Sequence, residues 1–347
     1  MTPDGLDWNS FAACAAHHRL VLRLPAPEML GAPEAVRTRL HAMRQRAAGH
    51  NLLLHHALAE ITAAFRRENV PIMAIKGPAF AALLFAEPLT REARDLDFLV
   101  HRQDAARATE ILAALGYAPS PTRTEPECLE FTHGANWPRV ELHTALASDD
   151  RLLPAAILRP FERSTTVTVG GEAISTLAAE AAVVFAAVHG CRHMWARLFW
   201  LADVAVAVRK GQVDWNAAFA LARQLDVERQ LALALVMARD CLSAPLPDAA
   251  TADAALLAWA EAAAAPLHCV LTTPPLTDRQ AIYRIGLVRS LVWSASLYTR
   301  PAGRRAVLAG ALAATEDDRR LISLPAALGW LYPLIRPFRI LMRRLTT

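Results

Sequence analysis

Arg91-Glu92-Ala93-Arg94-Asp95-Leu96-Asp97-Phe98-Leu99-Val100 is the stretch whose reading decides the fold. Asp95-Leu96-Asp97 alternates polar and apolar, and Phe98-Leu99-Val100 continues as an apolar run, the pattern of a strand entering a core. Alternation sends side chains i and i+2 to the same face, so both carboxylates point one way. Two like charges a few ångströms apart raise each other's pKa, which is costly unless a cation lies between them. Mg²⁺ held by paired carboxylates and substrate phosphates removes that cost. A solvated strand end accounts for the same two residues.

Upstream, Ala35 to about Asn69 has helical spacing, ended by Pro71. Ile72-Met73-Ala74-Ile75 reads as a short buried strand stopped by Gly77-Pro78, and Ala79 to Ala86 as a helix closed by Glu87-Pro88. Lys76 and Gly77 therefore sit where a strand turns into a helix, a geometry that offers backbone N–H groups to phosphate. Downstream, Asp104 to Leu115 is an amphipathic helix with Gly116 as its C′ residue. Glu127–Thr132 and Arg139–Leu146 are strand candidates, joined into a hairpin through His133-Gly134-Ala135-Asn136. Thr165–Val169, before Gly170-Gly171, is a last possible strand.

Glu141 stands among apolar neighbours in Val140-Glu141-Leu142-His143, where an unpaired carboxylate is expensive. A metal ion would answer it, and so would an arginine such as Arg94 or Arg139. His143 shares its face by the same alternation.

After Thr176 the character turns helical, over 177–209 and again over Trp215–Leu242, with breaks expected at Pro245, Pro266, Pro274 and Pro301. The expected class is α+β: a small mixed sheet flanked by helices, followed by a helical C-terminal half. The expected division is an N-terminal helical segment over 1–50, an α+β core over 51–174 and a helical domain over 175–347.

Composition bounds the function. With 54% apolar and 20% charged residues over 347 positions, the chain can bury a sizeable core and is no collagen, coiled coil or disordered tail. The 37 basic and 33 acidic residues leave a charge of +4, a weak attraction to phosphate rather than a nucleic-acid arm. Nucleic acid as a partner has no recognised module behind it. Only Lys76 and Lys210 are lysines, and the other 35 basic residues are arginine, as a GC-rich genome would give. Lys76 therefore stands out in its apolar segment. Five scattered cysteines with no C-x-x-C pair disfavour a disulfide framework or structural zinc, and suit a reducing cytosol. The N-terminal MTPDGLDWNSF lacks a basic-then-apolar run, and the apolar stretches near the C-terminus are interrupted by Pro325, Pro333 and Arg336. The expected location is the cytoplasm. In that tail Arg336, Arg339 and Arg343 recur on one side of an amphipathic helix expected to pack on the domain.

The ordered set I-K-G-P-A (75–79), R-x-x-x-D-L-D-F-L-V (91–100), L-G-Y (115–117) and V-E-L-H (140–143) resembles the minimal "uncharacterised nucleotidyltransferase" family of the polymerase-β-like superfamily. The run His193-Met194-Trp195-Ala196-Arg197-Leu198-Phe199-Trp200-Leu201-Ala202-Asp203 is similar to a stretch in that family's helical half. The resemblance implies metal-dependent transfer of an NMP from an NTP to a hydroxyl acceptor, with pyrophosphate released. It implies that Asp95 and Asp97 hold Mg²⁺ (or Mn²⁺) on the triphosphate. Glu141 then completes a second metal position and activates the acceptor, while Lys76, Gly77, Arg91, His143, His193 and Arg197 surround the nucleotide. The acceptor could be a protein, a peptide, a small molecule or RNA.

Two positions depart from the superfamily. Lys76-Gly77-Pro78 stands where it has Gly-Ser, so the serine that touches phosphate is absent and Lys76 could substitute as a point charge. Arg94 directly precedes Asp95, where it could pair with a carboxylate and compete with metal. Both favour an alternative reading, a blunted nucleotide- or partner-binding module of the same fold. His189 and His193 have i, i+4 spacing but lack the H-E-x-x-H glutamate, so they read as cleft-lining or helix-tying residues rather than zinc ligands. Trp195 and Trp200 read as core.

Overall fold

A computed structural model of the chain describes residues 6–125, 127–271, 280, 284–313, 322, 324–325, 328 and 331–332. The chain divides into two compact units, Met1–Ile285 and Gly286–Thr347. In the second, helices Leu287–Ser296 and Pro301–Leu312 follow one another, and Pro301 opens the latter at its first turn, where a missing N–H costs nothing.

The first unit begins with α1 (Trp8–His17), capped by the Asp7 carboxylate, and the long α2 (Glu34–Arg67). Strand β1 (Ile72–Ala74) leads into α3 (Gly77–Leu84), and β2 (Asp95–Val100) into α4 (Ala105–Ala114). Then come β3 (Ala118–Glu125), β4 (Cys128–Thr132), β5 (Arg139–His143), the single turn α5 (Ala155–Leu158) and the hairpin β6 (Ser164–Val169) and β7 (Glu172–Leu177). The helices α6 (Ala179–Arg192), α7 (Leu198–Lys210), α8 (Trp215–Leu225), α9 (Glu228–Leu242), α10 (Asp248–Thr251) and α11 (Ala254–Leu271) follow.

The main sheet runs β1-β2-β5-β4-β3, and only β2 and β5 pair in parallel. That pairing sets Asp95 beside Arg139 and Asp97 beside Glu141. The even-numbered side chains of these two strands, Leu96, Phe98, Val140 and Leu142, join Phe131 against Leu54, Leu58, Ile61 and Phe65 of α2 and Leu112 of α4. Alternation then obliges the odd-numbered ones to face the other side, toward α6 and α7. The fold is thus the expected α+β class, with a small mixed sheet and a helical C-terminal half.

Three local differences from the sequence reading have physical causes. β3 carries Pro119 and Pro121, which weaken a strand pattern but are tolerated because β3 is an edge, paired only to β4 through an irregular register. β7 was hidden because E-A-I-S-T-L mixes polar and apolar residues; it makes Gly170-Gly171 the turn of a hairpin rather than an end. The break expected at Pro266 does not occur, since α11 runs through it. Ala260, Ala264 and Leu267 are buried where α11 packs on α9, which outweighs a cost of about 3 kcal/mol for proline inside a helix. The expected break at Pro274 and the basic helix of Arg336, Arg339 and Arg343 lie outside the described residues. Among the described residues no helix is long and apolar enough to cross a membrane.

Candidate active site

The polar face of the sheet forms the floor of a cavity of about 270 Å³, walled by α3, α6, α7 and the segment after α1. All nine residues singled out from the sequence line it: Lys76, Gly77, Arg91, Asp95, Asp97, Glu141, His143, His193 and Arg197. The three carboxylates arrive from neighbouring strands on one face and converge opposite the Lys76-Gly77 turn. Gly77 has φ +64°, a left-handed conformation that lets the chain leave β1 and enter α3 beside the Asp95 carbonyl.

The electrostatics follow from this crowding. Asp97 accepts a 2.5 Å hydrogen bond from Lys76 Nζ and lies 3.2 Å from His143 Nε2. Burial works against its ionised form, but the Lys76 charge and the hydrogen bonds from His143 and Lys76 prevail and hold its carboxyl well below the usual range. Asp95 moves the other way, pushed up first by burial and then by the negative charges of Asp97 and Glu141. Glu141 is lowered chiefly by its hydrogen bond with His143, 3.5 Å away. Burial disfavours the charged form of His143, yet hydrogen bonds to Asp97, Cys128 and Glu141 carry its pKa well above the ordinary histidine value.

Arg94 does not enter the site. Its side chain is exposed, and among the described residues none of the three carboxylates takes an ion pair from it. Arg139 pairs instead with Glu130 at 3.3 Å and Asp95 at 3.8 Å. Glu141 instead lies 3.5 Å from His143 Nε2.

Arg91 is buried rather than a solvated loop residue. Its Nε and Nη2 donate to the two Asp203 oxygens of α7 at 2.8 and 2.7 Å, and its Nη1 donates to the Gly77 carbonyl at 3.4 Å. Such a fork ties the glycine turn to the helical half.

A strained turn joins α6 to α7. Met194 and Trp195 both have positive φ, 51° and 52°, a conformation that L-residues adopt at a cost. Trp195 is fully buried with its ring under Gly190, where a Cβ would come within 2.4 Å of ring carbons. This lock sets the positions of His193 and Arg197. His193 stacks on Trp200 with ring centroids 5.0 Å apart, and Arg197 Nη1 donates to the His17 carbonyl at 2.8 Å. Trp195 is core as expected, whereas Trp200 is half-buried and lines the cavity. His189 lies beside His193 but is pulled well below the ordinary value by burial and by the charges of Lys76 and His193.

Sequence reasoning missed three contributors. Arg19 follows α1 in a left-handed conformation (φ 53°), projects over the Phe199 ring at 4.8 Å and has its Nε buried without a hydrogen-bond partner among the described residues. Burial pulls its pKa down to about 10, with Asp95 opposing. No local pattern announces it, because its place depends on how the N-terminal segment packs on α7. Glu130 and Cys128, in contrast, were implicit in the hairpin: once β4 pairs with β5, Glu130 must sit beside Glu141 and Cys128 beside His143.

The sequence model of one protein family, described as an uncharacterised nucleotidyltransferase, matches residues 4–243. No curated protein and no solved structure matches the chain.

Proposed function

The chain belongs to the uncharacterised nucleotidyltransferase family, and from that membership we propose that it transfers an NMP from an NTP to a hydroxyl acceptor at the Asp95–Asp97–Glu141 cluster. The observation that carries this reading is the convergence of three carboxylates from adjacent strands opposite the Lys76-Gly77 turn, in one cavity. Asp95, raised by burial and by its acidic neighbours, marks a surplus of negative charge of the oxygen-donor kind that suits Mg²⁺ or Mn²⁺. Asp95, Asp97 and Glu141 are the residues that would hold such ions. When bound, the ions neutralise the triphosphate and stabilise the attacking and leaving oxygens.

The chain's own groups supply the rest. Lys76 and Arg19 present cationic charge to the phosphate oxygens, and the α3 N-terminus adds backbone N–H groups. Arg91 positions the turn through Gly77 and Asp203 rather than offering its occupied fork. His193 and Arg197 stand on the opposite wall, where His193 with Trp200 gives a flat surface for the base. Glu141 takes the proton of the acceptor hydroxyl as its oxygen bonds to the α-phosphorus; the bond to the bridging oxygen breaks and pyrophosphate leaves. Protein, peptide, small-molecule and RNA hydroxyls all satisfy this chemistry.

The tight Lys76–Asp97 pair also favours the second reading, a nucleotide-binding module that neutralises its own site. One experiment separates the two. Wild type incubated with each of the four α-³²P-NTPs and Mg²⁺ or Mn²⁺ is expected to label an acceptor or itself. Glu141→Gln is expected to bind the NTP nearly as well while label transfer disappears. Lys76→Met is expected to weaken NTP roughly ten- to a hundredfold, the value of a charge-assisted hydrogen bond, with little effect on nucleoside. Metal-dependent NTP binding with no transfer by wild type would leave the binding module; absence of binding would remove both.

A further inference from the structure

On the Glu141 side of the cavity the donor chemistry changes from oxygen to sulfur and nitrogen. We propose that Cys128 Sγ, Glu141 Oε2 and His143 Nε2 form a three-ligand site for a zinc-class divalent cation, with solvent in the fourth position. The three ligand atoms of Cys128, Glu141 and His143 all lie within 4.8 Å of one another. His143 Nε2 is 3.5 Å from Glu141 Oε2, 3.9 Å from Cys128 Sγ and 3.2 Å from Asp97 Oδ1, and Cys128 Sγ is 4.0 Å from Glu141 Oε2. A tetrahedral ion with bonds of about 2.0–2.1 Å to N and O and about 2.3 Å to S holds its ligand atoms roughly 3.3–3.6 Å apart. The separations among the Cys128, Glu141 and His143 atoms need to contract by at most about half an ångström.

Three further features fit. The donors stand on paired strands rather than on loops, since Cys128 is the cross-strand partner of His143 and Glu141 the parallel partner of Asp97. The charges close: a carboxylate, a thiolate and a neutral imidazole around a dication leave no net charge. Thiolate and imidazole select Zn²⁺ or Co²⁺ over Mg²⁺, which prefers an all-oxygen shell. Binding sends the proton of the thiol and that of Nε2 to solvent. The site shares Glu141 with the proposed catalytic centre but does not rest on nucleotide transfer.

The test uses metal alone. Co²⁺ added to the full chain without nucleotide is expected to produce a near-ultraviolet thiolate-to-cobalt charge-transfer band and intense tetrahedral visible bands, saturating at one ion per chain. Excess Zn²⁺ should abolish both, and a large excess of Mg²⁺ should not. Cys128→Ser should remove the charge-transfer band and weaken Zn²⁺ at least tenfold in equilibrium dialysis, with the far-ultraviolet circular dichroism unchanged. His143→Gln should keep the thiolate band but lose the tetrahedral visible intensity. Absence of the band in wild type, or its survival in folded Cys128→Ser, overturns the proposal. The band without label transfer keeps this site and defeats the catalytic reading; Mg²⁺-dependent transfer without the band does the reverse.

Discussion

Breaking the buried pair between Arg91 and Asp203 should destabilise the first unit strongly and unequally. Both side chains are almost inaccessible, at 8% and 4% exposure. Opposite charges about 4 Å apart attract by about 4 kcal/mol at an effective dielectric of 20. Removing one partner of such a pair costs roughly 3–5 kcal/mol because the other is left buried and uncompensated. The surroundings decide the order. Asp203 also feels Arg23 and Arg19, so it retains counter-charges when Arg91 is lost. Loss of Asp203 leaves all three guanidinium groups near one another. Arg91→Met keeps apolar volume against the Phe80 and Phe199 rings, which the guanidinium carbon approaches at 5.2 and 5.6 Å, so its effect isolates the charge. Asp203→Asn is therefore expected to cost more than Arg91→Met in urea unfolding followed by tryptophan fluorescence. Combined with Asp203→Leu, Arg91→Met should show a coupling of about 2 kcal/mol or more in a double-mutant cycle. Single losses below about 1 kcal/mol, additive effects or the reverse order would refute the reasoning.

His18 supplies a pH signature. Its Nδ1 accepts the Leu198 N–H, and burial foremost depresses its pKa from 6.5 to about 4. Below pH 6.5 the unfolded chain takes up a proton that the folded chain refuses until about pH 4, so stability is full above that window and falls as pH drops through it, by roughly 1 kcal/mol per pH unit from this group. His18→Asn, which retains an acceptor without titrating, should flatten that slope in acid-unfolding curves; an unchanged slope would place the effect elsewhere. Gly190→Ala reverses an ordinary expectation. Alanine normally stabilises a helix interior by up to about 1 kcal/mol, but here the new methyl meets the buried Trp195 ring at 2.4 Å, so a net loss of about 1–3 kcal/mol is expected in thermal melts. A raised melting temperature would show that the ring yields.

The floor of the site was legible because one rule builds it. Alternation over Asp95-Leu96-Asp97 and Val140-Glu141-Leu142-His143 assigns each side chain to a face, and burial of the even-numbered residues against α2 makes that assignment firm. The walls obey no local rule. Arg19 enters through tertiary packing, and Arg91 finds its partner 112 residues away, so neither role is written in a neighbouring pattern. Cys128 lay between these cases, since the hairpin turn was visible and the register it imposes would have paired Cys128 with His143. β3 escaped because its prolines mask an edge whose stability comes from β4.

The separation of Arg91 and Asp203 also matters during synthesis. At about 5–20 residues per second, a chain needs on the order of 6–20 s to extend the 112 residues between them. Throughout that interval the nascent sheet carries a guanidinium group destined for burial whose carboxylate partner has not yet been made. The glycine turn that this arginine will tether is likewise not yet fastened. Docking of α7 therefore acts as a late latch: the amino-terminal portion can collapse on its own apolar face, but its acidic face takes final shape only after Asp203 has left the ribosome. Synonymous codon changes that alter translation speed between these two positions should change the yield of folded protein more than equal changes placed after α7.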